Sequence, residues 1–188
     1  MSKKNDGQEE KMEIVRLASP ISSERDRTQG STNAPVTLVE YGDYECPYTG
    51  QAFPIVKAIQ KQLGDRLLFV FRNFPLTQIH PHAEHAAEAA EAAAAQGKFW
   101  DMHDYLFKHQ RALDDTHLLK YAKEIGIDTN KFQEEMSRQI YAPQVKKFIE
   151  DGIKSGVEGT PTFFINGIRH NDSWDLETLL AAIKQKVP

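Results

Sequence analysis

The sequence holds one cysteine, Cys46, in 188 residues, so no disulfide can form within the chain. No apolar run approaches the ~20 residues a membrane helix needs, and no membrane role is expected. There is no long basic run and the net charge is −4, so the electrostatic footprint of a nucleic-acid binder is missing. Residues 1–33 begin with basic residues but have no apolar core after them, and no secretory signal is expected. With no disulfide and no signal, the sequence points to a reducing compartment, and a cytoplasmic location is expected. There is also no Ser-His-Asp signature and no glycine loop of the kind that cradles phosphate.

What remains is a globular composition, 40% hydrophobic and 27% charged, sized for one domain or one domain with an inserted subdomain. Residues 1–34 read as an N-terminal extension. Residues 1–13 are polar and expected to be disordered. "EIVRLASPI" reads as a short extended piece, and "SSERDRTQGSTNAP" as a polar connector. Residues 35–75 carry two apolar runs, "VTLVEY" and "RLLFVFRNF", joined by a helical pattern with Phe53, Val56, Ile59 and Leu63 on one face. Strand, helix and strand in that order predict a parallel pair with a right-handed crossover. Pro47 suits the first helical turn, and Pro54 should kink the helix.

Residues 76–156 read as a run of helices. "HAEHAAEAAEAAAAQG" has very high helix propensity, and "KFWDMHDYLFKHQ" follows. Asp115 or Thr116 is placed to cap the next helix and Asp128 the one after. In "APQVKKFIEDGIKSG", Val145, Phe148, Ile149, Gly152 and Ile153 share a face. Residues 157–188 return to sheet with "TFFIN", turn at Asn166-Gly167, and close with a helix that directs Leu176, Leu179, Leu180 and Ile183 inward.

Cys46 falls after a strand and a short loop, at the start of a helix. Unpaired N–H groups and the positive end of the helix dipole favour a thiolate there, and the thiolate is the nucleophile. Asp43 and Glu45 oppose this with negative charge. A lone cysteine is more often a buried, inert side chain, but the strand-to-helix junction followed by Pro reverses that expectation. In "GTPTFF", a Thr-Pro bond running straight into a strand is a candidate cis-proline, because a buried strand otherwise has little use for Pro.

"VTLVEYGDYECPYTGQAF", the helical run containing "FPL", "HAAEAAEAA" and "GKFWDMHDYLF", and "GVEGTPTFFINGIR" with its terminal helix together resemble DsbA-like thioredoxin-fold disulfide oxidoreductases. The resemblance covers residues 35–187. It implies an α/β thioredoxin-like fold: a mixed sheet built from a βαβ half and a ββα half, with an inserted helical subdomain. It also implies roles. Cys46 matches the nucleophilic cysteine, Pro47 and Tyr48 the two residues after it, and Pro161 the cis-proline facing the thiol. Thr160 would offer backbone groups to a substrate peptide. Glu40 matches a buried acid that moves protons beneath the site. The implied partners are protein or small-molecule disulfides and thiols, with no bound cofactor and glutathione as co-substrate.

The departure is Thr49, which stands where the family has its resolving cysteine. Without that second thiol a mixed disulfide at Cys46 needs an outside thiol to release it. The Thr49 hydroxyl can donate a hydrogen bond to the thiolate instead. Two alternatives stay open: a catalytically inactive peptide-binding module, and a glutathione-binding transferase-like protein. A peroxiredoxin-type peroxidase is disfavoured, because Asp43 occupies the place of its Thr or Ser.

His80, His82 and His85 lack the further ligands a zinc site requires, and no metal is expected. Glu84, Glu88 and Glu91 read as a solvated acidic stripe. Phe99, Trp100, Tyr105 and Phe107 read as core, and a few apolar residues of the insertion are expected to line a groove over Cys46.

Overall fold

The two apolar runs become the centre of a sheet because their side chains are buried on both faces. In the computed structural model, which describes residues 14–188, β2 is Val36–Gly42 and β3 is Leu67–Asn73. The disorder expected of residues 1–13 falls outside the described residues. β2 and β3 pair in parallel, joined by α1, Pro47–Leu63, and one 3-10 turn. Pro47 opens α1, and the helix runs on through Pro54.

Alternation along the strands sorts side chains by face. Val36, Leu38, Phe69, Phe71, Phe163 and Ile165 join the cluster beneath α1, while Val39, Tyr41, Val70 and Phe164 fill the opposite face. β4, Thr162–Ile165, runs antiparallel to β2. Asn166 and Gly167, both at positive φ (48° and 78°), turn the chain into β5, Ile168–Arg169. Such angles are those of the two-residue hairpin turn that matches strand twist.

The fifth strand corrects a sequence expectation. Arg27–Gly30, read as part of a polar connector, is the edge strand β1, antiparallel to β3. The sheet order is therefore β1-β3-β2-β4-β5. An edge strand with one paired side and a half-exposed face need not be apolar, so composition concealed it. The extended piece before it touches the sheet at Arg16, which bridges to Ile168.

Between β3 and β4 lie five helices: α2 (Ala83–Ala94), α3 (Phe99–Lys108), α4 (Asp115–Glu124), α5 (Thr129–Ser137) and α6 (Ala142–Lys154). The cap of α4 is Asp114, which accepts from His117 N–H, rather than Asp115 or Thr116. Asp128 caps α5 as expected. Phe99 and Phe107 are buried, with Trp100 and Tyr105 packed on the same cluster. On α6, Val145, Phe148 and Gly152 are buried, but Ile153 is 62% exposed and Asp151 takes an inner position. α7, Leu176–Lys184, is capped by Asp175 and buries Leu179, Leu180 and Ile183, while Leu176 at its first turn is exposed.

The acidic stripe of α2 is the second correction. Glu84 is half-buried, and Glu88 and Glu91 are buried. Glu91 accepts from Arg27 Nε (3.0 Å) and Nη2 (2.5 Å) and from Asn73 Nδ2 (3.0 Å). The partners come from β1 and β3, so helical periodicity alone could not distinguish a solvated face from an ion-paired one.

On the sheet's other face Arg72 is fully buried. Its guanidinium grips Asp26 through Nε (2.8 Å) and Nη2 (3.0 Å), and through Nη1 meets Asp151 Oδ2 (2.7 Å) and Tyr41 Oη (2.9 Å). The Ser19 and Pro20 carbonyls accept further bonds. Removing one member of such a set strands the others without water. Arg72→Met is expected to cost ~3–5 kcal/mol, read as a lower urea midpoint with an unchanged slope. A loss below ~1 kcal/mol would show that Asp26 and Asp151 find other partners.

Candidate active site

Cys46 is the N-cap of α1. Pro47 brings no N–H, and those of Tyr48 and Thr49 lie in the first turn, where a helix has no internal acceptor. Cys46 is only 3% exposed, and its thiol donates to the Thr160 carbonyl at 3.4 Å. The Thr160–Pro161 peptide bond is cis. The two segments that the sequence singled out, separated by over a hundred residues, thus meet at the sulfur. Thr160 is itself buried, with a hydroxyl that has no partner.

The loop before Cys46 is built on Asp43. This carboxylate is buried. Its Oδ1 accepts from the N–H groups of Glu45 (2.7 Å) and Cys46 (3.2 Å), and its Oδ2 from Leu76 N–H (2.8 Å). His80 Nδ1 lies 2.7 Å from the same Oδ2. Asp43 read in sequence as a charge opposing the thiolate; in the fold it also sets the shape of the turn that presents Cys46.

Gln110, which the sequence did not single out, adds a strap from beyond α3. Its Nε2 donates to the carbonyls of Tyr44 and Cys46, both at 2.9 Å. Gly50 makes room for it, since a Cβ there would come within 1.9 Å of Gln110 Oε1. Long-range straps of this kind have no local signature; the glycine in the first helical turn was the one trace.

Thr49 is wholly buried. Its recorded partner is the Asp43 N–H, which Oγ1 accepts at 3.4 Å, and not the Cys46 sulfur that the sequence reading gave it. The hydroxyl therefore braces the loop. Glu40 lies on the α1 face of β2, in register with Phe71 on one side and Phe163 on the other. Burial among these neighbours pushes its carboxyl up to about 8, because the charged form loses its hydration. Below the loop, Tyr44 Oη lies 3.0 Å from His103 Nδ1 inside an aromatic cluster with Phe71 and Phe107. Burial lowers His103 well below its ordinary value.

Each of the three clustered histidines faces one carboxylate: His80 meets Asp43, His82 meets Glu45 and His85 meets Asp115. No group of three potential metal ligands converges among the described residues. Beside the thiol lies a hollow of about 430 Å³ lined by Tyr48, Gly159, Thr160, Pro161, Thr162, Arg169 and Trp174. Its walls come from α1 and the β4–β5 end of the chain, not from the inserted helices as expected. Tyr48 is 61% exposed at its edge.

Comparison with known proteins accords with this arrangement. Among curated proteins the chain is 45% identical over 170 residues to a protein named Na(+)/H(+) antiporter NhaA 1 from Salinispora arenicola, covering 90% of this chain and 26% of that one. It is 41% identical over 172 residues to a protein of the same name from a Mycobacterium species, covering 89% and 28%. The chain thus spans about a quarter of the length of these relatives. Among solved structures, oxidised BdbD from Bacillus subtilis superposes with a TM-score of 0.79 at 26% identity, over 92% of this chain and 98% of that one. A thioredoxin-like oxidoreductase from Silicibacter pomeroyi gives 0.74 at 28% identity, over 86% and 91%. The thiol-disulfide exchange protein α-DsbA2 of Wolbachia pipientis shares the fold, with a TM-score of 0.70 at 22% identity over 85% and 86%. The family described as Thioredoxin matches residues 22–185, a span that takes in the edge strand β1, the inserted helices and both segments that meet at Cys46; the chain belongs to the thioredoxin family and folds as its DsbA-like members do.

Proposed function

We propose that the chain carries out thiol–disulfide exchange through Cys46 alone. The observation that carries this reading is the placement of the one thiol at the N-terminus of α1, against the Thr160 carbonyl and beside an open hollow. In the first step the Cys46 thiolate attacks one sulfur of a substrate disulfide. A bond forms between the two sulfurs, the substrate's own S–S bond breaks, and its other sulfur leaves as a thiolate that takes a proton from solvent. In the second step an outside thiolate attacks the substrate-derived sulfur and becomes joined to it, and Cys46 leaves as thiolate. One disulfide is consumed and one formed at each step. Glutathione is the outside thiol that suits a reducing, cytoplasmic setting, where a single cysteine faces no internal competitor.

Glu40 is the proton-handling group in this reading. A carboxyl that titrates near neutrality can accept the Cys46 proton and return it. Thr160, Pro161, Pro47 and Tyr48 form the surface that receives the substrate. The antiporter names belong to relatives of which this chain covers about a quarter, and the observations at Cys46 support exchange chemistry rather than transport.

One observation favours a second reading, a module that binds extended peptides without turnover. The thiol is almost fully covered and its proton is engaged by Thr160. Incubation with glutathione disulfide followed by intact mass separates the two. Exchange chemistry is expected to add one glutathione to the parent, none to Cys46→Ala, and to lose it again on adding a thiol. No adduct, together with full peptide binding by Cys46→Ala, would establish the binding module. Thr49→Cys is expected to supply an internal resolving thiol and release the glutathione without added thiol, at least ~100-fold faster than the parent.

Glu40 generates a pH test. Its carboxyl binds a proton more tightly in the folded chain than in the unfolded one, whose ordinary value is 4.5. Folding stability is then complete below that value and falls as pH rises from 4.5 to about 8, the folded value. Glu40→Gln is expected to match the parent in urea denaturation at about pH 5 and to exceed it by a few kcal/mol at about pH 8.5. Parallel stability curves for the two proteins would remove Glu40 as a titrating buried acid.

A further inference from the structure

Among the described residues the buried and half-buried arginines are Arg25, Arg27, Arg72 and Arg169. The first three meet carboxylates. Arg72 holds Asp26 and Asp151, Arg25 lies against the same two acids, and Arg27 holds Glu91. Arg169 has no carboxylate partner among the described residues. Its side chain is engaged instead by the Gly156 carbonyl, to which Nη1 donates at 2.6 Å. A guanidinium offers five N–H donors in a planar fork, so most of this one stays available. The residue is also held at its backbone, paired with Phe164 across β4 and β5 and donating its N–H to the Val15 carbonyl.

This tethered cation belongs to the wall of the hollow of about 430 Å³ beside the thiol. The rest of that wall is Tyr48, Gly159, Thr160, Pro161, Thr162 and Trp174, none of them charged. Thr160 is the residue whose carbonyl meets Cys46 Sγ at 3.4 Å. One hollow therefore borders both the backbone that touches the sulfur and a cation with no anion to match it. Asp172 is exposed and lines an adjoining, smaller hollow together with Arg169, but is not ion-paired to it.

Building on exchange at Cys46 as proposed above, we infer that Arg169 sets substrate specificity by receiving a carboxylate of a small thiol or disulfide seated in this hollow. The site then favours carboxylate-bearing disulfides of the glutathione class over neutral ones. The guanidinium fork matches the two oxygens of a carboxylate, and Tyr48, Pro161 and Trp174 offer apolar surface to the carbon chain. Arg169 takes no part in the bond changes. The Cys46 thiolate forms the new S–S bond, the substrate's S–S bond breaks, its other sulfur leaves as thiolate, and the carboxylate stays ionised throughout.

The test compares glutathione disulfide with the same molecule carrying a primary amide in place of every carboxylate. Adduct formation on the full chain is followed by intact mass as a second-order rate constant. The parent is expected to react at least ~5-fold faster with the carboxylate form. The net charge of −4 acts the other way, favouring the cationic amide, so this preference reads a local contact. Arg169→Gln is expected to abolish the preference by slowing the carboxylate form alone, and Arg169→Lys to keep part of it. Binding without exchange is read from amide chemical shifts of Cys46→Ala titrated with S-methylglutathione and with its diamide. The acid is expected to bind more tightly and to move resonances of residues 159–162, 169 and 174. No adduct with either disulfide would remove the exchange reading, and the shifts then decide the carboxylate site by themselves. Equal rates or equal binding for acid and amide, a preference that survives Arg169→Gln, or shifts confined to another surface would each overturn the role of Arg169 while exchange stands. The acid–amide comparison on the parent decides the matter even if an Arg169 variant fails to fold.

Discussion

A guanidinium shut away from water, that of Arg72, obliges distant parts of the chain to meet. Its partners come from the segment before β1, from β2 and from α6. Each buried carboxylate it holds would otherwise be stranded in the same dry interior, so neither can leave alone. The set clamps the segment before β1 and the last inserted helix onto one face of the sheet. The other face packs against α1, α7 and inserted helices including α3, and carries the thiol. Ser155 extends the clamp by accepting from Ala18 N–H and donating to the Asp151 carbonyl.

The other buried acids show how differently one fold can manage the same physical problem. Glu91 is neutralised by Arg27 and hydrogen-bonded by Asn73, and so fastens α2 to β1 and β3. Asp43 takes three backbone N–H groups and His80, and so shapes the loop that presents Cys46. Glu40 is raised by burial until its proton is exchangeable near neutrality. Glu88 has no hydrogen-bond partner among the described residues. The paired acids build the structure. The unpaired ones carry the cost of desolvating a charge, and burial raises both carboxyls.

Thr49 illustrates the economy of the site. A resolving thiol at this place would lie under the loop, one helical turn from Cys46. The threonine keeps the volume and uses its hydroxyl to brace Asp43 N–H, so the scaffold around the nucleophile survives without the second sulfur. In the proposed exchange there are two separate encounters, each set by an outside molecule, instead of one encounter followed by an internal attack. In favourable intramolecular cases the advantage forgone is about 10⁵ M or more of effective concentration.

Much of this was legible in the residues themselves. The parallel pair β2–β3, the crossover α1, the Asn166-Gly167 hairpin and the Asp128 cap follow from local rules: apolar runs, helical spacing, turn residues and a cap. So does the position of Cys46 at a strand-to-helix junction. β1 was missed because an edge strand carries no apolar signature, and the acidic stripe of α2 was misread because its partners lie on β1 and β3. Gln110 escaped notice, and Asp43 was read only as a charge, for the same reason: their hydrogen-bond partners include groups far away in sequence. By itself the sequence determined the central strands, the helices and where the single thiol stands, because those depend on neighbours within a few residues. Only the tertiary structure decided which charges are buried, which of them are paired and what faces the sulfur, because desolvation and hydrogen bonding are set by groups that the chain brings together only when it folds.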